Sequence, residues 1–398
     1  MTKSTRPIPF TQSVASQQVP PPYFFPNVTV NAFVMEVPMG AVQDHCDRFF
    51  NLGSEKDRGF IYKPAAFWPY ATLMFLEYPV MISSGLPPAE YRPPPLSDHE
   101  PKRSDTGDVP YSDRGTVSQT EVFVALPVMR YGTTPGKLIG ETALETALPL
   151  IAVNDPSSCV CGREMLGLGK LLADISTAEG PFRDSFQGAV KLPGWSSPEP
   201  GAQMEMLPFV EVSTGPALPT FRTTGGPQRS LATLFQSREA SRIIGSLESI
   251  ANFIDSASIG LIPTAMRTIG LKQYRDAVNP EAAVYQALVT CRSHYSNVRG
   301  FRFYDEKDVS ISFNDTGNFN DALRSFMEVD SIATNKAKKV TPKAAFKFMA
   351  DIDYDHMRVT HRFPIDRGDG LPPTSPSSDL AADWLRPWKG FFGPEHRP

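Results

Sequence analysis

Apolar residues in this chain gather in runs of strand length, many of them stopped by proline. Val28-Thr29-Val30-Asn31-Ala32-Phe33-Val34-Met35 is rich in β-branched and apolar side chains and ends before Pro38. Ala71–Tyr78 is a mostly apolar run bounded by prolines. Thr116–Pro127, Leu148–Val153, Cys159–Met165, Met206–Val212, Ala287–Arg292 and Val309–Phe313 have the same texture and are predicted strands. Residues 230–258 break the pattern. There Ile243, Leu247, Ile250 and Ile254 recur at helical spacing while Arg238, Glu239, Arg242 and Glu248 fall on other faces, which predicts an amphipathic helix limited by Pro263. A second helix is expected over Ala322–Phe326, and no internal repeat is visible.

Proline, at 39 of 398 residues, is about twice its usual share. It lacks a ladder donor and has a fixed φ, so this excess favours strands joined by elaborate loops over long helices. The longest loop text is 85–115, where Gly85-Leu86-Pro87-Pro88 and Pro93-Pro94-Pro95 precede many charges. A loop of that length is expected to border a pocket rather than to build the core. The predicted organisation is a flexible tail over 1–24, a main domain over 25–345 and a C-terminal extension over 346–398. The main domain carries the loop 85–115 and a helical insertion at about 226–280.

Charge removes some function classes. A net charge of −4 offers no basic footprint for nucleic acid or a membrane surface. No apolar run approaches the roughly 20 residues of a membrane span, and the polar N-terminus lacks the apolar middle of a signal peptide. Four cysteines in so long a chain make no disulfide framework. A cytoplasmic protein is expected, with the sequons at Asn27 and Asn314 unused.

Three patterns were weighed as sites. Gly167-Leu168-Gly169-Lys170 lacks the earlier glycine and the following Ser or Thr of a phosphate-binding loop. Asp351, Asp353 and Asp355 would share one strand face, beside His356 and His361; this is either a hard-cation site or the solvated face of an edge strand. Cys159 and Cys161 find no partner pair for a soft metal. No metal and no cofactor is expected.

The chemistry points to Gly162-Arg163-Glu164-Met165-Leu166-Gly167-Leu168-Gly169-Lys170-Leu171. This segment resembles the signature of the acetoacetate decarboxylase-like superfamily, in which Gly-Arg-Glu leads to a lysine eight residues after the glycine. A second match is Glu121, six residues before Pro127-Val128, the place of a family glutamate. The resemblance runs roughly from residue 25 to 327. It implies an α+β, β-rich fold around an antiparallel β-barrel with a helical insertion. It also implies a Lys170 imine with a substrate ketone, Glu121 as general acid and base, Arg163 and Glu164 in support, and a homo-oligomer. The chain departs from the pattern at four places. Leu171 stands where a second lysine is usual, and Gly169 where a proline is. No arginine occurs near Val28, and the acid nearest to Leu73–Leu76 is Glu77.

A free lysine has a pKa near 10.4, so only about one in 2,500 is neutral at pH 7. Making the amine available costs about 4–5 kcal/mol, which an apolar pocket can supply; Met165, Leu166, Leu168, Leu171 and Leu172 offer apolar surroundings in sequence. The leading expectation is therefore a Schiff-base-forming lyase acting on a small keto acid or related ketone. The missing arginine and second lysine favour aldol or dehydration chemistry over decarboxylation. The alternative is a non-catalytic, small-ligand-binding member of the same fold, with Lys170 a solvated loop residue and Arg163 and Glu164 ordinary polar positions.

Overall fold

A computed structural model describes residues 21–66, 68–83, 117–133, 142–181, 184–195, 199–218, 264–314 and 338–363. The expected loop 85–115, the helices at 230–258 and 322–326 and most of the N-terminal tail lie outside the described residues.

The architecture is α+β and β-rich. One sheet contains β1 (Tyr23–Glu36), β2 (Phe60–Pro64), β3 (Tyr70–Ser83), β4 (Val117–Gly132), β5 (Ala143–Val153), β6 (Lys170–Leu172), β10 (Thr264–Arg275), β11 (Ala283–Tyr304), β14 (Ala344–Tyr354) and β15 (Arg358–Arg362). A second sheet contains β7 (Asp174–Glu179), β8 (Phe186–Gly194), β9 (Glu205–Ser213), β12 (Ser310–Phe313) and β13 (Lys338–Val340). The described helices are α1 (Met39–Phe49), α2 (Glu55–Arg58) and α3 (Pro156–Glu164).

In the larger sheet the pairings β4–β3–β1–β14–β11–β10–β5 return to β4 and close a ring. This ring is not wholly antiparallel, as had been expected, and the reason is arithmetic: an odd number of strands cannot alternate direction all the way round. The parallel seam is β5 against β10, through Thr268 opposite Thr146 and Ile269 opposite Ala147. β6 also runs parallel to β5.

Strand text in this chain is continuously apolar because both faces of the ring sheet are covered. Along β4, Val122, Val124 and Leu126 enter one core cluster while Phe123 and Ala125 enter another. β5 does the same, with Leu150 and Ala152 on one side and Ile151 on the other. The first cluster joins the ring to the second sheet, where Phe33, Phe75 and Phe186 meet with ring centroids 5.3–6.4 Å apart. The second cluster includes Val28, Val30, Leu76, Leu166, Leu168 and Phe348, and it holds the site.

Three sequence expectations change. Thr264–Arg275, assigned to the end of the helical insertion, is strand β10. The C-terminal extension begins too early, because β14 lies between β1 and β11 inside the ring. Being paired on both sides, β14 is no edge strand, and its Asp351 serves the fold. Asp351 accepts from the Asn27 backbone N–H at 2.8 Å and from Asn297 Nδ2 at 2.6 Å. These asparagines sit at register shifts in the two strands that flank β14, so one carboxylate holds both irregularities. Finally, Cys159–Met165, predicted as strand, lies mostly in α3. Asp155 caps that helix by accepting from Ser158 N at 2.7 Å, and Pro156 occupies its first turn; both are helix-start signals that outweigh the β-like Cys-Val-Cys text.

Candidate active site

Strand register explains how residues 49 positions apart meet. Lys170 lies opposite Ile151 on β6, Ile151 lies opposite Phe123, and Glu121 is one alternation further along β4. Ile151, Phe123 and Glu121 therefore share a sheet face, and Lys170 is turned to it. Lys170 Nζ donates to Glu121 Oε2 in a short contact and to Ser158 Oγ at 3.1 Å. Lysine and glutamate are 6% and 7% exposed, which separates this pair from a surface ion pair of negligible worth.

The eight-residue spacing from Gly162 to Lys170 has a local cause. After α3 the chain folds back, with Leu168 N donating to Gly162 O at 2.9 Å, and then enters β6. This return lays the lysine stem over Gly162. A Cβ on Gly162 would stand 2.3 Å from Lys170 Cδ and 2.7 Å from Cε, so only glycine leaves room. Gly167 makes the reversal with φ +63 and passes so close to β10 that a Cβ would lie 2.6 Å from Lys272 Cβ.

The pair opens on a cavity of about 30 Å³. Tyr23, Phe25, Tyr78, Met81 and Tyr354 line it together with Leu166 and Leu168, while Ser158, Cys161 and Gly162 come from α3. Gln119 also lines it, and its Oε1 is buried without a hydrogen-bond partner. Burial raises the pKa of the Tyr78, Tyr295 and Tyr354 hydroxyls, and the nearby Glu121 carboxylate raises each further. Burial does the same for Tyr23, aided by Cys161 and Cys291. The phenols around the pair are thus neutral hydrogen-bonding groups.

Arg163 and Glu164 are not part of this cavity. Both are exposed at the end of α3. The Glu164 carbonyl accepts from Tyr274 OH at 2.9 Å, and its charge acts on Lys272, whose pKa burial lowers. Leu171 takes the opposite face of β6 and packs against the larger core cluster, so its position is turned away from Nζ. Glu77 is half-buried on the face of β3 opposite to Leu76 and Tyr78. Among the described residues no group of three or more His, Cys, Asp or Glu could hold a metal ion, and no described helix is long and apolar enough to cross a membrane.

Sequence reasoning missed Ser158, Tyr78, Tyr23 and Tyr354. Ser158 was readable from the cap signal at Asp155-Pro156. Tyr78 was readable from the alternation Leu76–Tyr78 within a predicted strand. Tyr23 and Tyr354 arrive only through sheet pairing, directly opposite one another on β1 and β14.

No protein-family model matches the chain, and no curated protein does. Similar solved structures exist at low identity. The acetoacetate decarboxylase of Legionella pneumophila subsp. pneumophila str. Philadelphia 1 is 10% identical with TM-score 0.48, over 90% of this chain and 94% of that one. A second acetoacetate decarboxylase is 11% identical with TM-score 0.44, over 88% and 93%. The enduracididine biosynthesis enzyme MppR complexed with pyruvate is 13% identical with TM-score 0.42, over 87% and 93%, and no activity is carried over from any of these.

Proposed function

We propose that this chain is a Schiff-base-forming lyase acting on a small keto acid or related ketone through Lys170. The observation that carries the reading is the buried contact of Lys170 Nζ with Glu121 and Ser158 at the wall of a small, largely apolar cavity. Glu121 takes a proton from the Lys170 ammonium. The free amine adds to the substrate carbonyl carbon, and Glu121 returns the proton to the departing hydroxyl, which leaves as water. The protonated imine then withdraws electrons from the neighbouring carbon, and Glu121 moves protons to and from it. Ser158 holds Nζ in place by its hydrogen bond. With no cation turned toward Nζ at position 171, aldol or dehydration chemistry is favoured over decarboxylation. A cytoplasmic homo-oligomer completes the reading, and light scattering of the purified protein tests the assembly.

The size of the cavity favours a second reading. About 30 Å³ is roughly a tenth of the smaller ligand sites, which begin near 300 Å³, and suits a non-catalytic chamber for a very small ligand. Reductive trapping separates the two. Incubation with pyruvate, acetone or acetoacetate and borohydride should leave one adduct per chain on the peptide containing Lys170, and none in Lys170→Ala. Lys272 is the internal comparison, because burial lowers its pKa while it lacks the Glu121 partner. An adduct that forms equally on Lys272, or survives Lys170→Ala, removes the special role of Lys170.

A further inference from the structure

We infer that the Lys170 cavity selects small uncharged carbonyl compounds, an aldehyde or ketone that carries no carboxylate; the inference rests on the imine reading of Lys170. The cavity beside Nζ is lined by Tyr23, Tyr78 and Tyr354 together with Phe25, Met81 and Leu168. Phenols held neutral by burial donate and accept hydrogen bonds but supply no charge. Among the described residues at the cavity Lys170 is the only cation, and Glu121 already faces it, so the site is charge-balanced before anything enters.

Reaction with a neutral ketone keeps that balance. The ammonium and the carbonyl give a protonated imine and one water, so one positive charge stands opposite Glu121 before and after. A keto acid adds a second anion beside the Glu121 carboxylate, stripped of water, with the single cation already engaged. Burial of such an unpaired charge is strongly unfavourable. Gln119 points the same way. Its Oε1 is an acceptor without a donor, and a carboxylate offers only further acceptors, whereas the hydroxyl of a carbinolamine or hydroxyketone supplies the missing donor. The volume of about 30 Å³ also favours a small guest.

The test compares 2-butanone with pyruvate. Both are methyl ketones of similar size, and they differ in the carboxylate. Labelling of Lys170 with cyanoborohydride is followed by peptide mass spectrometry, and each rate is divided by that of free Nα-acetyl-lysine with the same carbonyl, which cancels intrinsic reactivity. The normalised rate for 2-butanone should exceed that for pyruvate by about tenfold or more, equivalent to about 1.4 kcal/mol. A pyruvate rate equal to or above the butanone rate overturns the inference and leaves the imine lysine standing. Absence of a Lys170 adduct from both removes the imine reading, and this inference falls with it.

Discussion

Gly162→Ala is the sharpest perturbation of the site, because it adds one methyl and touches no polar group. The new Cβ would lie 2.3, 2.7 and 2.8 Å from Lys170 Cδ, Cε and Cγ. Carbon atoms pack at about 3.5–4.0 Å, so the lysine stem must move by an ångström or more. The helix backbone beneath it is fixed by Leu168 N to Gly162 O and Met165 N to Cys161 O, both at 2.9 Å, so the stem is the softer partner. Its displacement pulls Nζ from Glu121 and Ser158. Overpacking of this kind costs about 1–3 kcal/mol of stability, while misplacement of a reacting atom by about 1 Å costs roughly a hundredfold in rate. The two effects are read separately, stability from urea melts and reactivity from the rate of Lys170 trapping. The expected variant is folded, modestly destabilised and about a hundredfold slower in trapping. Trapping at the wild-type rate with an unchanged urea midpoint would mean that the stem does not lie over Gly162, and the explanation of the eight-residue spacing would fail.

Three other outcomes follow from the same geometry. Glu121→Gln removes one partner of a buried ion pair, so it should cost about 3–5 kcal/mol of stability; it should also leave imine formation partly intact while product formation slows by about 10²–10⁴-fold, and unchanged turnover would rule out proton transfer by Glu121. His45, packed between Phe49 and Phe50, has its pKa lowered to about 4 by burial and then by Arg48. Folded His45 stays neutral while the unfolded chain binds a proton between pH 6.5 and about 4, so stability falls with acidification through that window, by about 3 kcal/mol at most. His45→Leu should flatten this slope in urea midpoints measured across it, and an unaltered slope would place the acid sensitivity elsewhere. Tyr62 OH donates to the buried Glu145 Oε2 at 2.7 Å and stabilises its ionised form against a burial that raises its pKa. Tyr62→Phe should therefore cost about 1–3 kcal/mol at pH 7 and less near pH 4; equal costs at both pH values would contradict that account.

Much of the ring was legible because β1, β3, β4 and β5 are apolar on both faces, which writes strand length directly into the sequence. β10 was not, since Arg267, Lys272, Gln273 and Arg275 interrupt its apolar residues Met266, Ile269 and Leu271. β14 was hidden by Asp351 and Asp353, and Asp351 serves register irregularities rather than solvent alone. The site divides along the same line. Lys170 and Gly162 were legible because their spacing records a local fold-back from helix to strand. Tyr23 and Tyr354 were not, because which strands lie side by side is decided by the closed ring, and nothing within a single strand reports its neighbour.

Position 171 shows what the site must do without. A second lysine there would be separated from Nζ by the β6 backbone, since Leu171 packs into the opposite core cluster. On the imine reading proposed above, activation then has to come from Glu121 and Ser158, the groups that touch Nζ. A carboxylate beside an ammonium ordinarily holds the amine in its charged, unreactive form. A single proton transfer across the contact turns the ionic arrangement into neutral amine and neutral acid, and loss of the water that solvates the charges makes that step less costly than at a surface. In the proposed mechanism the same transfer leaves Glu121 carrying the proton that the carbinolamine hydroxyl needs in order to leave. A surface pair lacks this burial, so for the proposed chemistry the lining residues Tyr78, Tyr354 and Phe25 matter as much as the two charged residues do.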